Sequence, residues 1–446
     1  MKKCVRNVQE RNIVVTDRNK KMGEKTMKIL IIGGVAAGTK TAAKLKREDR
    51  SAEVTVITKD RDISYAGCGL PYYVGGLIEN REELIVNTPA KYAGLTGVEV
   101  KTGKEAIALC ADKKEVIVKD VETGAEEAYG YDKLVLTVGA SPAKLPIEGT
   151  DLSGVFQMRT PDDAENIRSY VEENQVKKAV VIGAGFIGLE VAENLKAKGV
   201  QVTVIDFASQ ILPNIVDAEV AVYAKKHLLK EGIRVITGTK ADAIMGNDHV
   251  TGVKTSAGLL RCELLIMAAG IRPNTDFLQD SGLEMFKGTI LVDKTMKTNL
   301  EDVYAAGDCV MVTNRITGKP QWSPMGSSAN LEGRTLAQVL TGTKKEYPGV
   351  LGTGVVKLPN LNIGRTGLTE EQAKNAGYDV VTVVAPTDDK AHYYPDAGFF
   401  ITKLIADRES HKLLGVQVLG NGAVDKMVDI AVMGINMGAV LEDFEN

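Results

Sequence analysis

The chain has 446 residues, 44% hydrophobic and 25% charged, with a formal net charge of −3. That length exceeds a single hydrophobic core and predicts two to four domains, and the near-neutral balance gives no basis for a nucleic-acid partner. No apolar run approaches the roughly 18 residues that would cross a bilayer, and the five cysteines (Cys4, Cys68, Cys110, Cys262, Cys309) are scattered without a CxxC pair, which argues against a disulfide framework or a zinc site and for a reducing, cytoplasmic setting.

Residues 1–26 are polar and rich in Lys and Arg, without the apolar core of a signal peptide. They are expected to be a disordered extension, translated from a start upstream of Met27. The stretch KILIIGG (28–34) is an apolar run ending in glycine, TAAKLKRE follows with helical spacing, and EVTVIT (53–58) is a second strand. The turn reads GGVAAG. Gly33 and Gly38 fit a dinucleotide fingerprint, but Val35 replaces the middle glycine and Thr58 stands where an acid is usual. In the following helix Lys40, Lys44 and Arg47 recur on one face. That stripe suits either a solvated surface or a phosphate-bearing ligand.

SYAGCGLPYYVGG (64–76) places Cys68 among glycines just ahead of Pro71, a residue tolerated in a first helical turn. A helix end favours an anion by about 0.3–1 kcal/mol, less than one pKa unit. It cannot alone bring a thiol from about 8.5 to well below neutral. A lone cysteine is commonly a small buried hydrophobe, the reading kept for Cys4, Cys110, Cys262 and Cys309.

The strand–turn–helix–strand order recurs about 150 residues later. AVVIGAGFIGLEVAENLKAKG (179–199) leads into VQVTVID (200–206). KLVLTVGASP (133–142) and LLIMAAGIRPN (264–274) end the two copies alike. The second copy has a complete G-x-G-x-x-G at Gly183, Gly185 and Gly188, with Asp206 placed to accept from a ribose hydroxyl. DVYAAGDC (302–309) is a strand leading to Asp308, poised to take hydroxyl protons from a sugar-alcohol chain. Two dinucleotide units plus this stretch point to FAD in the first copy and a nicotinamide in the second.

With YAGCGLPYYVGG, IGAGFIGLE, VYAAGDC and WSPMGSSANLEGR (322–334) in place, the chain from Met27 on resembles the flavoprotein pyridine nucleotide–disulfide oxidoreductases. Within them it is similar to the single-cysteine branch: coenzyme A disulfide reductases, NAD(P)H persulfide or polysulfide reductases and NADH oxidases. The resemblance implies an α/β fold with two Rossmann-like units and an α+β dimerisation domain. The expected boundaries are an FAD domain at 27–147 and 272–343, split by an NAD(P)H domain at 148–271, then dimerisation at 344–446.

It also implies roles. Cys68 is the redox partner of the flavin. Gly33, Gly34, Ala37, Gly38, Thr58, Lys59, Gly139, Asp308 and Ala329 hold FAD, and Gly183, Gly185, Phe186, Gly188, Asp206 and Gly270 hold NADH in preference to NADPH. Phe186 falls where relatives place an aromatic over the flavin, with a core role as the other reading. Lys44 and Arg47 match positions that receive coenzyme A. Tyr393, in DKAHYYPDA (389–397), projects into the other subunit's site of a homodimer, where its phenol is the catalytic group that can protonate the departing thiolate. Family members carry a further Tyr-Ala-Pro-Pro stretch soon after a segment like VLEDFE, where this chain stops at Asn446. Oxidases of the branch carry a histidine in the first glycine turn, whereas this chain has Ala36. The resemblance therefore implies reduction of coenzyme A disulfide or of a persulfide or polysulfide. A water-forming NADH oxidase and a redox-responsive flavoprotein binding module with little turnover are the alternatives.

Overall fold

The structure, a computed structural model, describes residues 26–445, so the expectation for 1–26 lies outside it except at Thr26. Lys28–Ile32 pairs in parallel with Glu53–Ile57 on one side and Lys133–Leu136 on the other. Glu99–Lys101 and Val303–Ala305 complete this five-stranded parallel sheet. A second sheet repeats the plan: Lys178–Ile182 lies between Gln201–Ile205 and Leu264–Met267, with Arg234–Ile236 and Val155–Phe156 at the edges. The two central strands share one burial pattern, exposed only at the first residue, as do Glu53–Ile57 and Gln201–Ile205. Parallel strands covered on both faces read as unbroken apolar runs, so the duplication is visible in the sequence.

Each unit also carries a three-stranded antiparallel sheet between its outer and returning strands. These comprise Lys104–Cys110, Glu115–Asp120 and Glu126–Gly130 in the first, and Ala241–Gly246, Val250–Thr255 and Gly258–Arg261 in the second. A third, antiparallel sheet of five strands runs Gly354–Leu358, Leu361–Gly367, Leu413–Gly420, Phe399–Asp407, Val380–Asp388 in spatial order. The helix Val424–Met437 buries Val424, Val428 and Ala431 against Phe400, Leu413, Val416 and Val418 of that sheet. Among the described residues no helix is long and apolar enough to cross a membrane.

Candidate functional site

The first glycine turn is shaped by contacts that no side chain could make. Gly33 has φ +112°, and a Cβ there would stand 2.0 Å from the Thr137 carbonyl oxygen. A Cβ on Gly38 would stand 1.9 Å from the Gly33 oxygen, so glycine lets the helix Ala36–Glu48 press onto the strand end. A Cβ on Gly34 would stand 2.9 Å from the Ile63 side chain and 3.1 Å from that of Thr58. Val35, in place of the middle glycine, is the helix N-cap and offers no capping side chain, which leaves the first-turn amides available to an anion. Ala37 is buried beneath this turn and Thr58 at the end of the second strand, while Lys59 reaches out toward Glu105. Gly139 has φ +65° and lies beside Arg159.

Asp308 closes the same site. Its side chain is 16% exposed and its carboxylate faces Arg159 Nη2 at a long 3.4 Å. Burial pushes its pKa up, opposed by Arg159. A largely buried carboxylate with one long contact has acceptor capacity left for hydroxyls. Ala329, in the first turn of the helix Gly326–Leu340, is buried near Gly307. Gly307 N–H donates to Glu332 Oε2 at 2.6 Å, and burial raises that carboxyl to about 7. The open amides, the glycine cradle and the underused Asp308 carboxylate fit a flavin dinucleotide.

The second turn is the same device with all three glycines. Gly183 has φ +111° and would collide with the Ala268 oxygen at 2.3 Å, and Gly188 would collide with the Gly183 oxygen at 2.0 Å. A Cβ built on Gly185 would meet no atom beyond its chain neighbours within 4 Å, which is the space a diphosphate needs over the N-terminus of Phe186–Ala197. Gly270, φ +102°, is equally open. Asp206 accepts from Ala184 N–H at 2.6 Å and Ala208 N–H at 2.7 Å. These bonds fix the carboxylate over the glycine turn and leave lone pairs for a ribose. Phe186 is the first residue of its helix and lines a cavity of about 540 Å³ with Trp322 and Met325, its ring against Gly354.

Of the four described cysteines, only Cys68 is exposed, while Cys110, Cys262 and Cys309 are buried. Cys68 occupies a 3₁₀ turn, Gly67–Gly69, that runs directly into the helix Leu70–Gly75 with Pro71 in its first turn. The protein around it pushes the thiol pKa up, through partial desolvation and then the carboxylates of Glu190 and Asp308, against the pull of Arg159. The charged groups of the chain around Cys68 therefore do not lower this thiol's pKa.

The remaining expected residues stand apart. Lys44 is tied to Glu48 at 2.6 Å, and Arg47 is exposed one turn on. Tyr393 is 78% exposed between the strands Val380–Asp388 and Phe399–Asp407, its ring edge-on to His392. Within one chain no contact joins Tyr393 to Cys68 among the described residues. Sequence reasoning missed Arg159, Tyr72, Glu190 and Glu332. Glu190 left one signal, a carboxylate inside the apolar run FIGLEVA.

Comparison with known proteins gives a family match described as pyridine nucleotide-disulphide oxidoreductase over residues 27–329, with its dimerisation domain over 355–446. The chain is 36% identical to an NADH oxidase of Methanocaldococcus jannaschii, covering 94% of this chain and 93% of that one. It is 30% identical to a coenzyme A disulfide reductase of Staphylococcus haemolyticus, covering 92% and 91%. A solved NAD-dependent persulfide reductase from A. fulgidus superposes with a TM-score of 0.91 at 37% identity, covering 94% of this chain and 78% of that one.

Proposed function

The chain belongs to the pyridine nucleotide-disulphide oxidoreductase family, and is by that membership an FAD-dependent NAD(P)H oxidoreductase, and we propose that it reduces coenzyme A disulfide or a persulfide through Cys68. The observation that carries this reading is the position of Cys68. It is the exposed cysteine, at a helix start, within electrostatic range of Asp308 from the first unit and Glu190 from the second.

Bound FAD would supply the chemistry of hydride acceptance and two-electron transfer. The residues of the chain do the rest. The first-turn amides behind Gly33, Gly34, Ala37 and Gly38 hold the FAD diphosphate, Thr58 and Lys59 flank its adenosine ribose, and Gly139, Asp308 and Ala329 hold its flavin half. Gly183, Gly185 and Gly188 seat the NADH diphosphate, Asp206 takes the adenosine ribose, and Gly270 gives its backbone room. Phe186, at the start of the helix Phe186–Ala197, would lie over the flavin. Lys44 and Arg47 hold coenzyme A phosphates, and Tyr393 reaches the site of a second subunit. The exposed Met427, Ile430, Met433 and Met437 on the helix Val424–Met437 provide an apolar face for that homodimer.

The test is Cys68→Ser. The variant should keep its flavin and its reduction by NADH but lose turnover of coenzyme A disulfide and persulfide. Normal disulfide turnover by Cys68→Ser would refute the proposal. The NADH oxidase relative favours a second reading, oxygen as acceptor, against which Ala36 withholds a histidine from the first turn. Oxygen consumed per NADH, without added disulfide, separates the two.

A further inference from the structure

Cys68, in the turn Gly67–Gly69, is four residues ahead of Tyr72 in the helix Leu70–Gly75 that the turn runs into. Charge on Cys68 is felt at Tyr72. The Tyr72 hydroxyl donates to Glu190 Oε1 at 3.3 Å, joining the cysteine-bearing helix to the helix Phe186–Ala197.

Every charged group packed around Glu190 acts on the pair. Glu193 lies one turn on in the same helix, Tyr72 faces it from Leu70–Gly75 and Cys68 from the turn Gly67–Gly69, and Lys357 faces it from Gly354–Leu358 and also donates its backbone N–H. Lys357 Nζ is committed to Glu193 Oε1 at 3.0 Å, while Glu193 Oε2 is buried without a hydrogen bond. Burial is the largest influence on Glu190. It outweighs the Tyr72 hydrogen bond, Glu193 adds repulsion, and the carboxyl is pushed up to about 7.

We propose, resting on the reading of Cys68 as the sulfur that meets the substrate, that Tyr72 and Glu190 form a same-chain proton relay to the thiolate released during thiol–disulfide exchange. The Cys68 thiolate attacks one sulfur of the substrate disulfide. A bond forms between the two sulfurs, the substrate's own S–S bond breaks, and its electron pair leaves on the second sulfur. That thiolate takes the Tyr72 proton, Tyr72 takes the Glu190 proton, and water reprotonates Glu190. This exchange has no net oxidation or reduction. NADH later supplies the electron pair that opens the mixed disulfide and, with its hydride, the proton of the second thiol, so Cys68 returns as the thiolate that begins the next exchange.

Two physical points favour a relay over the phenol alone. Tyr72 is pushed well above its ordinary pKa by burial and by Glu190, which makes it a poor acid by itself, whereas an acid titrating near neutrality is matched to a thiol leaving group. With Glu190 ionised, the Tyr72 hydrogen points at the carboxylate. With Glu190 protonated, the carboxyl can donate to the phenol oxygen and free the Tyr72 hydrogen for the sulfur side.

The experiment measures kcat and KM for coenzyme A disulfide against pH, on the FAD-loaded enzyme, in wild type, Glu190→Gln and the near-isosteric Tyr72→Phe. Wild-type kcat should fall as pH rises past about 7. Both variants should lose that limb and lose about 100-fold in kcat below it, with KM moving far less. A structural role would lower activity evenly with pH. Retention of the limb by Glu190→Gln, or of the wild-type rate by Tyr72→Phe, overturns the relay. Cys68→Ser run in parallel keeps the two ideas apart. If it turns over normally, the reading of Cys68 fails; if it is dead while the limb persists in Glu190→Gln, only the relay fails.

Discussion

Lys403 Nζ stands 3.0 Å from Asp217 Oδ2, with the lysine side chain 0% exposed. The same ammonium meets Glu219 at 2.5 Å and Glu370 at 2.8 Å. One cation in the antiparallel sheet thus gathers carboxylates from the start of the helix Ala218–Lys230 and the start of the helix Glu370–Ala376. Removing the cation leaves Asp217 buried and unpaired by Lys403, a loss worth about 3–5 kcal/mol for fully buried pairs. Glu219 and Glu370 remain partly in water, which screens them. Lys403→Met should therefore destabilise by roughly 2–4 kcal/mol. Urea unfolding checks this, and an unchanged midpoint would contradict it.

The glycines of the second turn separate into two kinds. A Cβ at Gly188 strikes the Gly183 backbone oxygen, while a Cβ at Gly185 strikes nothing in the protein. Gly185 also has φ −82°, ordinary for any residue. Gly188→Ala should lower the melting temperature of the protein. Gly185→Ala should leave melting unchanged yet raise KM for NADH, because its methyl occupies ligand space. Equal melting losses in both variants would show that Gly185 is structural.

What the sequence made legible follows from range. The paired parallel units were readable because their strands are uninterrupted apolar runs, each closed by a glycine forced to φ above +100°, Gly33 and Gly183. Cys68 was readable from its glycine surroundings. Tyr72 and Glu190 lie 118 residues apart in the chain, so no local pattern announces their bond. Lys403, a lone cation in the strand FFITKLIAD, marks the same limit. Its charge looks like a solvated face until Asp217, Glu219 and Glu370 are placed around it. The two small antiparallel sheets escaped because their half-exposed strands lack the long apolar runs of the parallel ones.

Glu332 predicts a pH dependence of stability. It is buried, accepts from Gly307 N–H, and has its folded-state pKa raised to about 7 from the usual carboxylate value. The folded state thus holds a proton that the unfolded state has released, so stability falls as pH rises from about 4.5 to about 7 and then levels. The drop is on the order of 3 kcal/mol. Glu332→Gln keeps an oxygen for Gly307 and should flatten that part of the profile. Parallel urea titrations of both proteins at acid and alkaline ends of this window decide it; identical slopes would show that Glu332 does not titrate there.

The apolar face of Val424–Met437 predicts oligomeric state. Met433 is exposed at the middle of that face. Met433→Glu should shift sedimentation from dimer toward monomer and depress disulfide turnover, since Tyr393 is proposed to act on the other subunit. A variant that stays dimeric would place the interface elsewhere.

Asp206 predicts which dinucleotide is used. Its carboxylate is held by the amides of Ala184 and Ala208, so it cannot swing away from a ligand lying over the glycine turn. NADH offers it a ribose hydroxyl, whereas NADPH puts a phosphate of roughly −2 charge at that point. The residues that follow, Phe207, Ala208, Ser209 and Gln210, bring no cation to offset the repulsion. A hydrogen bond to a charged group is worth about 1.5–3 kcal/mol, and each 1.4 kcal/mol is a factor of ten. NADH should therefore exceed NADPH by roughly ten- to a hundredfold in kcat/KM. Asp206→Ala should bring the ratio close to one, chiefly by weakening NADH. Because the substitution also frees two backbone amides, the ratio of the two cofactors, rather than either rate alone, is the quantity to measure. Equal use of both cofactors by the wild type, or a preference for NADPH, would remove Asp206 from this role.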